Sequence, residues 1–106
     1  MGIISVKLDK NIAKEFVILI HGMETNGEEI KKFTVTIERG VIEVDLSGKL
    51  GRKYIHEYGD YITPPYDTLI SENVWNLDLI CFIDGEPINI ENKNEIIKII
   101  EKSINN

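Results

Sequence analysis

Lys32-Phe-Thr-Val-Thr-Ile-Glu-Arg-Gly-Val-Ile-Glu-Val-Asp-Leu46 is the stretch that decides how this chain folds. Phe33, Val35 and Ile37 alternate with Thr34, Thr36 and Glu38, the period of two of a half-buried strand. Arg39-Gly40 supplies a turn, after which Ile42, Val44 and Leu46 alternate with Glu43 and Asp45. Two amphipathic strands joined by a tight turn predict an antiparallel hairpin with one apolar face to be covered.

Upstream, Glu15-Phe-Val-Ile-Leu-Ile-His21 is an almost unbroken apolar run stopped by Gly22, which reads as a strand buried on both faces. The preceding Ile12-Ala-Lys-Glu15 either extends it or forms a helical turn. Ile3 to Leu8 alternates loosely and reads as a first strand. Asn26-Gly27, inside Thr25 to Glu29, has the positive-φ preference of a tight hairpin turn and predicts another antiparallel pair.

Downstream, Ser47-Gly-Lys-Leu-Gly-Arg-Lys53 reads as a flexible basic connector, and Tyr54 to Tyr58 as a strand broken by Gly59-Asp60 and briefly resumed at Tyr61-Ile62. Pro64 and Pro65 carry no amide hydrogen, so the chain is expected to leave the sheet there, with residues 67–73 as a connector. Val74 to Ile83 is the next long strand. Asp84-Gly85 turns it into Glu86 to Ile90, expected as a short edge strand bearing Pro87. Asn92 then stands as N-cap with Glu95 three residues on, and Ile96, Ile97, Ile99, Ile100 and Ile104 form the apolar stripe of a helix. Lys98 and Lys102 lie toward its end, where they complement the dipole. The expectation is one α+β domain over residues 1–106: an antiparallel, twisted sheet of about five to seven strands with one C-terminal helix packed on it.

At 106 residues and 42% hydrophobic, the chain has the size and composition of a single folded domain. It has no apolar run long enough for a membrane span and begins without a secretory signal pattern, so a soluble cytoplasmic protein is expected, as a monomer or small homo-oligomer. The lone Cys81, set in a hydrophobic run, reads as a buried apolar residue. With one cysteine and the distant His21 and His56, no metal site is expected, and no cofactor. Asp78, Asp84, Glu86 and Glu91 lack the ligand alternation of a calcium loop.

The net charge of −6 is unevenly spread. Residues 54–92 contain eight acids, Glu57, Asp60, Asp67, Glu72, Asp78, Asp84, Glu86 and Glu91, and no Lys or Arg. Such a block repels nucleic acid and favours a basic protein partner. It opens with Tyr54-Ile-His-Glu-Tyr-Gly-Asp-Tyr-Ile-Thr-Pro-Pro-Tyr66, which holds all four tyrosines. His56-Glu57 invites a base-and-orienter reading, but adjacent strand residues point to opposite faces, so no catalytic residue is assigned and the protein is not expected to be an enzyme. Tyrosine supplies large contact area at low rotamer cost. The candidate partner-binding residues are therefore Tyr54, His56, Glu57, Tyr58, Asp60, Tyr61, Tyr66, Asp67 and Glu72, with Trp75 near them; the alternative is an ordinary acidic sheet surface.

Gly59, Tyr61, Thr63, Pro64, Pro65, Asp84 and Gly85, followed by the isoleucine-rich helix, give residues 54–104 a pattern that resembles small phage and mobile-element accessory proteins of the anti-defence type. The resemblance implies an acidic inhibitor of a host defence nuclease, in the manner of anti-restriction and anti-CRISPR proteins, some of which mimic DNA charge. An immunity protein against a basic toxin has the same physics. A small-ligand or nucleotide-binding module, with the basic connector holding an anion and tyrosines stacking, is the other class.

Overall fold

The computed structural model describes residues 5–24, 30–57, 59 and 66–105. Its elements are β1 (Ser5–Val6), α1 (Asn11–His21), β2 (Ile30–Arg39), β3 (Ile42–Glu57), β4 (Tyr66–Ile83), β5 (Glu86–Ile90) and α2 (Lys93–Ile104). The five strands form one sheet in the order β1-β5-β4-β3-β2. The central hairpin pairs as its alternation requires, with Val35 opposite Leu46 and Ile37 opposite Val44. The Asp84-Gly85 turn joins β4 to β5, and both residues take positive φ, 51° and 82°.

The architecture is α+β, but the sheet is mixed and carries two helices. β1 runs parallel to β5, pairing Ser5 with Asn89 and Val6 with Ile90, so β5 is an interior strand and not an edge. The apolar run ending at His21 is helix and not strand. Read from Asn11, its buried residues are Ile12, Ala13, Phe16 and Ile20, the spacing of a helical stripe that a window starting at Glu15 hides. The Asp9 carboxylate accepts the Asn11 amide at 2.9 Å and its carbonyl accepts the Ile12 amide at 3.0 Å, which starts the helix. Packing of that stripe outweighs the strand preference of Val17, Ile18 and Ile20. The hairpin turn expected at Asn26-Gly27 lies outside the described residues, as do Ile3, Ile4, Tyr58, Asp60, Tyr61, Pro64 and Pro65; the strand it was to pair does not exist.

Neither connector is a connector. Ser47 to Lys53 continues β3, and residues 67–73 continue β4. Leu50 and Arg52 carry on the inward alternation of Val44 and Leu46, and Gly48 occupies the inward position between them. A methyl group on Gly48 would stand 2.6 Å from Leu77 Cδ2 and 3.1 Å from the Trp75 carbonyl. The glycine thus makes room for an irregularity in β4, where the register passes from Ser47 and Asp78 to Lys49 and Trp75 and Asn76 has φ 54°. A second shift, between Lys53 and Tyr54, skips Ile70.

Both helices cover the same face of the sheet. Phe16 and Ile20 of α1, Ile96 and Ile100 of α2, and Val44, Leu46, Leu50, Val74, Leu79 and Cys81 of the sheet form one buried cluster. Each fully buried isoleucine contributes about 1.5–3 kcal/mol by leaving water. Asparagines fasten α2 at both ends. The Asn92 amide hydrogen-bonds the Leu8 backbone in both directions, accepting at 2.9 Å and donating at 2.8 Å. Asn105 does the same to Val74, accepting at 2.7 Å and donating at 2.8 Å. Each side chain stands in for a neighbouring strand, so Asn92 precedes the helix without a side-chain cap bond to it.

Candidate binding arm

β3 and β4 are too long for the domain they belong to. At about 3.3 Å per residue, 16 and 18 residues reach roughly 50–60 Å. β2 accompanies β3 only as far as Gly51, and β5 accompanies β4 only from Cys81. Among the described residues, Arg52–Glu57 and Tyr66–Glu72 therefore pair with each other alone, forming a two-stranded arm. The molecule is 70 Å long, and its 17.3 Å radius of gyration exceeds the roughly 13 Å of a compact domain of this length.

The root of the arm is fastened to α1 by Arg52, which is only 5% exposed. Its guanidinium donates to the Ile20 carbonyl at 2.8 Å and to the carbonyl of Met23 just past the helix, placing a cation at the C-terminal end of α1 where it complements the dipole. Its Nε donates to Glu72 Oε2 at 2.7 Å, and the other Glu72 oxygen lies 2.6 Å from His21 Nδ1. Glu72 is thereby a structural anchor with both oxygens engaged and its side chain 10% exposed.

Beyond Arg52 the two strands stay paired, and among the described residues no helix lies above them. Tyr54 stands opposite Leu69, and the two are 42% and 46% exposed. His56 comes next on the same face, exposed and at the register position opposite Asp67. Glu57 pairs in register with Tyr66, one step along. The structure brings the sequence candidates together as strand pairs, Tyr54 and His56 sharing a face and the backbone register setting His56 opposite Asp67 and Glu57 opposite Tyr66. Tyr58, Asp60 and Tyr61 fall outside the described residues. Leu69 was missed because residues 67–73 read as a connector; its branched neighbours Thr68 and Ile70 were the available signal.

The block without cations in sequence is not without them in space. Register sets Arg52 against Glu72 and Lys53 against Ser71, and Lys93 reaches Asp78 at 2.7 Å. The acids away from the arm are likewise dispersed, Glu91 accepting from Ser5 Oγ at 2.9 Å. Among the described residues no group of three or more His, Cys, Asp or Glu is placed to hold a metal ion. Among them too, no helix is long and apolar enough to cross a membrane. Burial of Cys81 pushes its thiol pKa up.

Comparison with protein-family models, with curated proteins and with solved structures found no match to this chain.

Proposed function

We propose that this is a non-enzymatic binding protein whose β3–β4 arm seats on a basic surface of a protein partner and blocks it. The observation that carries the reading is the arm itself. A two-stranded ribbon gains little stability alone in water, yet this one extends past the helices with Tyr54 and Leu69 side by side and exposed. A partner that covers this pair would recover that apolar area, while Glu57 and Asp67 on the same arm would steer a basic surface toward it. The phage-type inhibitor of a defence nuclease fits this chemistry, as does an immunity protein that neutralises a basic toxin. The nucleotide-module alternative has less support, because Ser47 to Lys53 is strand with Arg52 buried and does not offer an anion loop.

Affinity capture with the intact chain, followed by titration of the captured basic protein, tests the proposal. A Tyr54→Ala, Asp67→Lys variant that keeps the native circular dichroism should bind at least tenfold more weakly. Unchanged affinity would remove the arm from the interface.

A further inference from the structure

β2 is the outermost strand of the sheet, and among the described residues its ten positions pair on one side only. Free edges are normally guarded, commonly by lysine. Lys31 and Lys32 look like such guards until the charges of the whole strand are considered. Lys32 lies directly opposite Lys49 of β3, and Glu38 directly opposite Glu43. Like charges so placed destabilise a hairpin, and among the described residues neither Lys32 nor Glu38 takes an ion pair. The helix above the edge is also incompletely covered: Ile18 is 69% and Leu19 41% exposed, and both line a cleft with Thr36 and Ile37 of β2. A helix end that is apolar on nearly every side is one that sequence pattern expects to be buried.

We infer that β2 pairs antiparallel with β2 of a second copy of this chain, about a twofold axis through Val35. That register sets Lys32 against Glu38 of the other copy, Thr34 against Thr36, and Phe33 against Ile37. Each pair shares a sheet face, so the helices of both copies lie on the same side. The uncompensated charges become rows running Lys49, Lys32, then Glu38 and Glu43 of the second copy, and the same again on the other side of the axis. Thr34 and Thr36 form a β-branched cross-strand pair. Because partners have the same parity along the strand, the outward backbone groups of one copy meet those of the other. Above the joint, the exposed flank of α1 turns toward its symmetry mate, which covers Ile18 and Leu19. Slipping the register by one residue puts the helices on opposite faces; slipping it by two, which moves the axis to Thr34 or Thr36, sets Lys32 against Thr36 or Thr34 against Glu38. The isologous interface closes on itself and does not propagate into fibres. It does not use the arms, which the twofold directs to opposite ends of a continuous ten-stranded sheet, so it stands or fails independently of the proposed function.

The test is sedimentation equilibrium on the intact chain and on Lys32→Glu and Glu38→Lys variants, across protein and salt concentration. Each substitution places unlike charges opposite each other within its own hairpin, so both variants should fold, as circular dichroism will confirm. The wild type should dimerise reversibly, and each variant alone should self-associate at least tenfold more weakly. Mixed together, the two variants should form a heterodimer, since every charged pair across the axis is then complementary. Amide exchange provides a second measure: alternate β2 amides of the wild type should gain protection as concentration rises. A wild type monomeric throughout, variants that dimerise as well as the wild type, or a mixture that stays monomeric would each overturn the inference.

Discussion

Arg52 joins three parts of this structure: it binds carbonyls at the end of α1, fixes Glu72 and roots the arm. Replacing it with Met would leave the nearly buried Glu72 carboxylate without its guanidinium and the Met23 carbonyl without this donor. Loss of one partner of such a pair costs about 3 kcal/mol or more, readable as a lower urea midpoint. Arg52→Lys should recover part of it, since an ammonium cannot reach two carbonyls and a carboxylate with the same fork. Gly48→Ala tests the bulge beside it. Its methyl would collide with Leu77, and overpacking of this kind costs about 1–3 kcal/mol. Cys81 is fully buried, and its thiol pKa is raised by that burial. The unfolded chain releases this proton first, so the contribution to stability is full below the ordinary thiol range and declines as pH rises through it. Alkylation of Cys81 should follow the unfolding rate, and rapid labelling of the native protein would contradict the packing.

Among the elements, α2 and the β4 edge are linked by Asn105. Asn105→Ala would leave the Val74 amide and carbonyl without their partners, at a cost of about 1–2 kcal/mol. Exchange of the Val74 amide should accelerate more than that of its neighbours. Uniform acceleration along β4 would mean that Asn105 only packs. Elements whose pattern keeps one period were legible in sequence: the β2–β3 hairpin, the Asp84-Gly85 turn and α2. β4 was legible only from Val74, because its two register shifts change which residues face the core. Val74 points inward and so does Leu79, five residues later, which no simple alternation can signal. α1 was hidden by branched residues whose strand preference is weaker than the burial of Phe16 and Ile20. For the arm, the strand from Tyr54 to Glu57 was readable. The cations beside its acids were not, since Arg52 and Lys53 reach that region through pairing and not through chain proximity.

At the scale of the molecule, a helix-covered sheet anchors a long ribbon that offers an aromatic and aliphatic pair just beyond its root. Association through the arm, which carries Glu57 and Asp67, should slow as salt is raised, because electrostatic steering is screened within about 10 Å at 0.1 M. Dissociation should respond mainly to Tyr54 and Leu69, whose burial is insensitive to salt. A partner whose on-rate is indifferent to salt would count against the acids having a steering role. The most direct measurement is hydrogen–deuterium exchange of the intact chain, free and bound to the basic protein it captures. The arm model predicts new protection over residues 53–57 and 66–71, where among the described residues no third strand or helix shields the free ribbon. Protection confined to the helices or to β5, with the arm exchanging as fast as in the free protein, would contradict it.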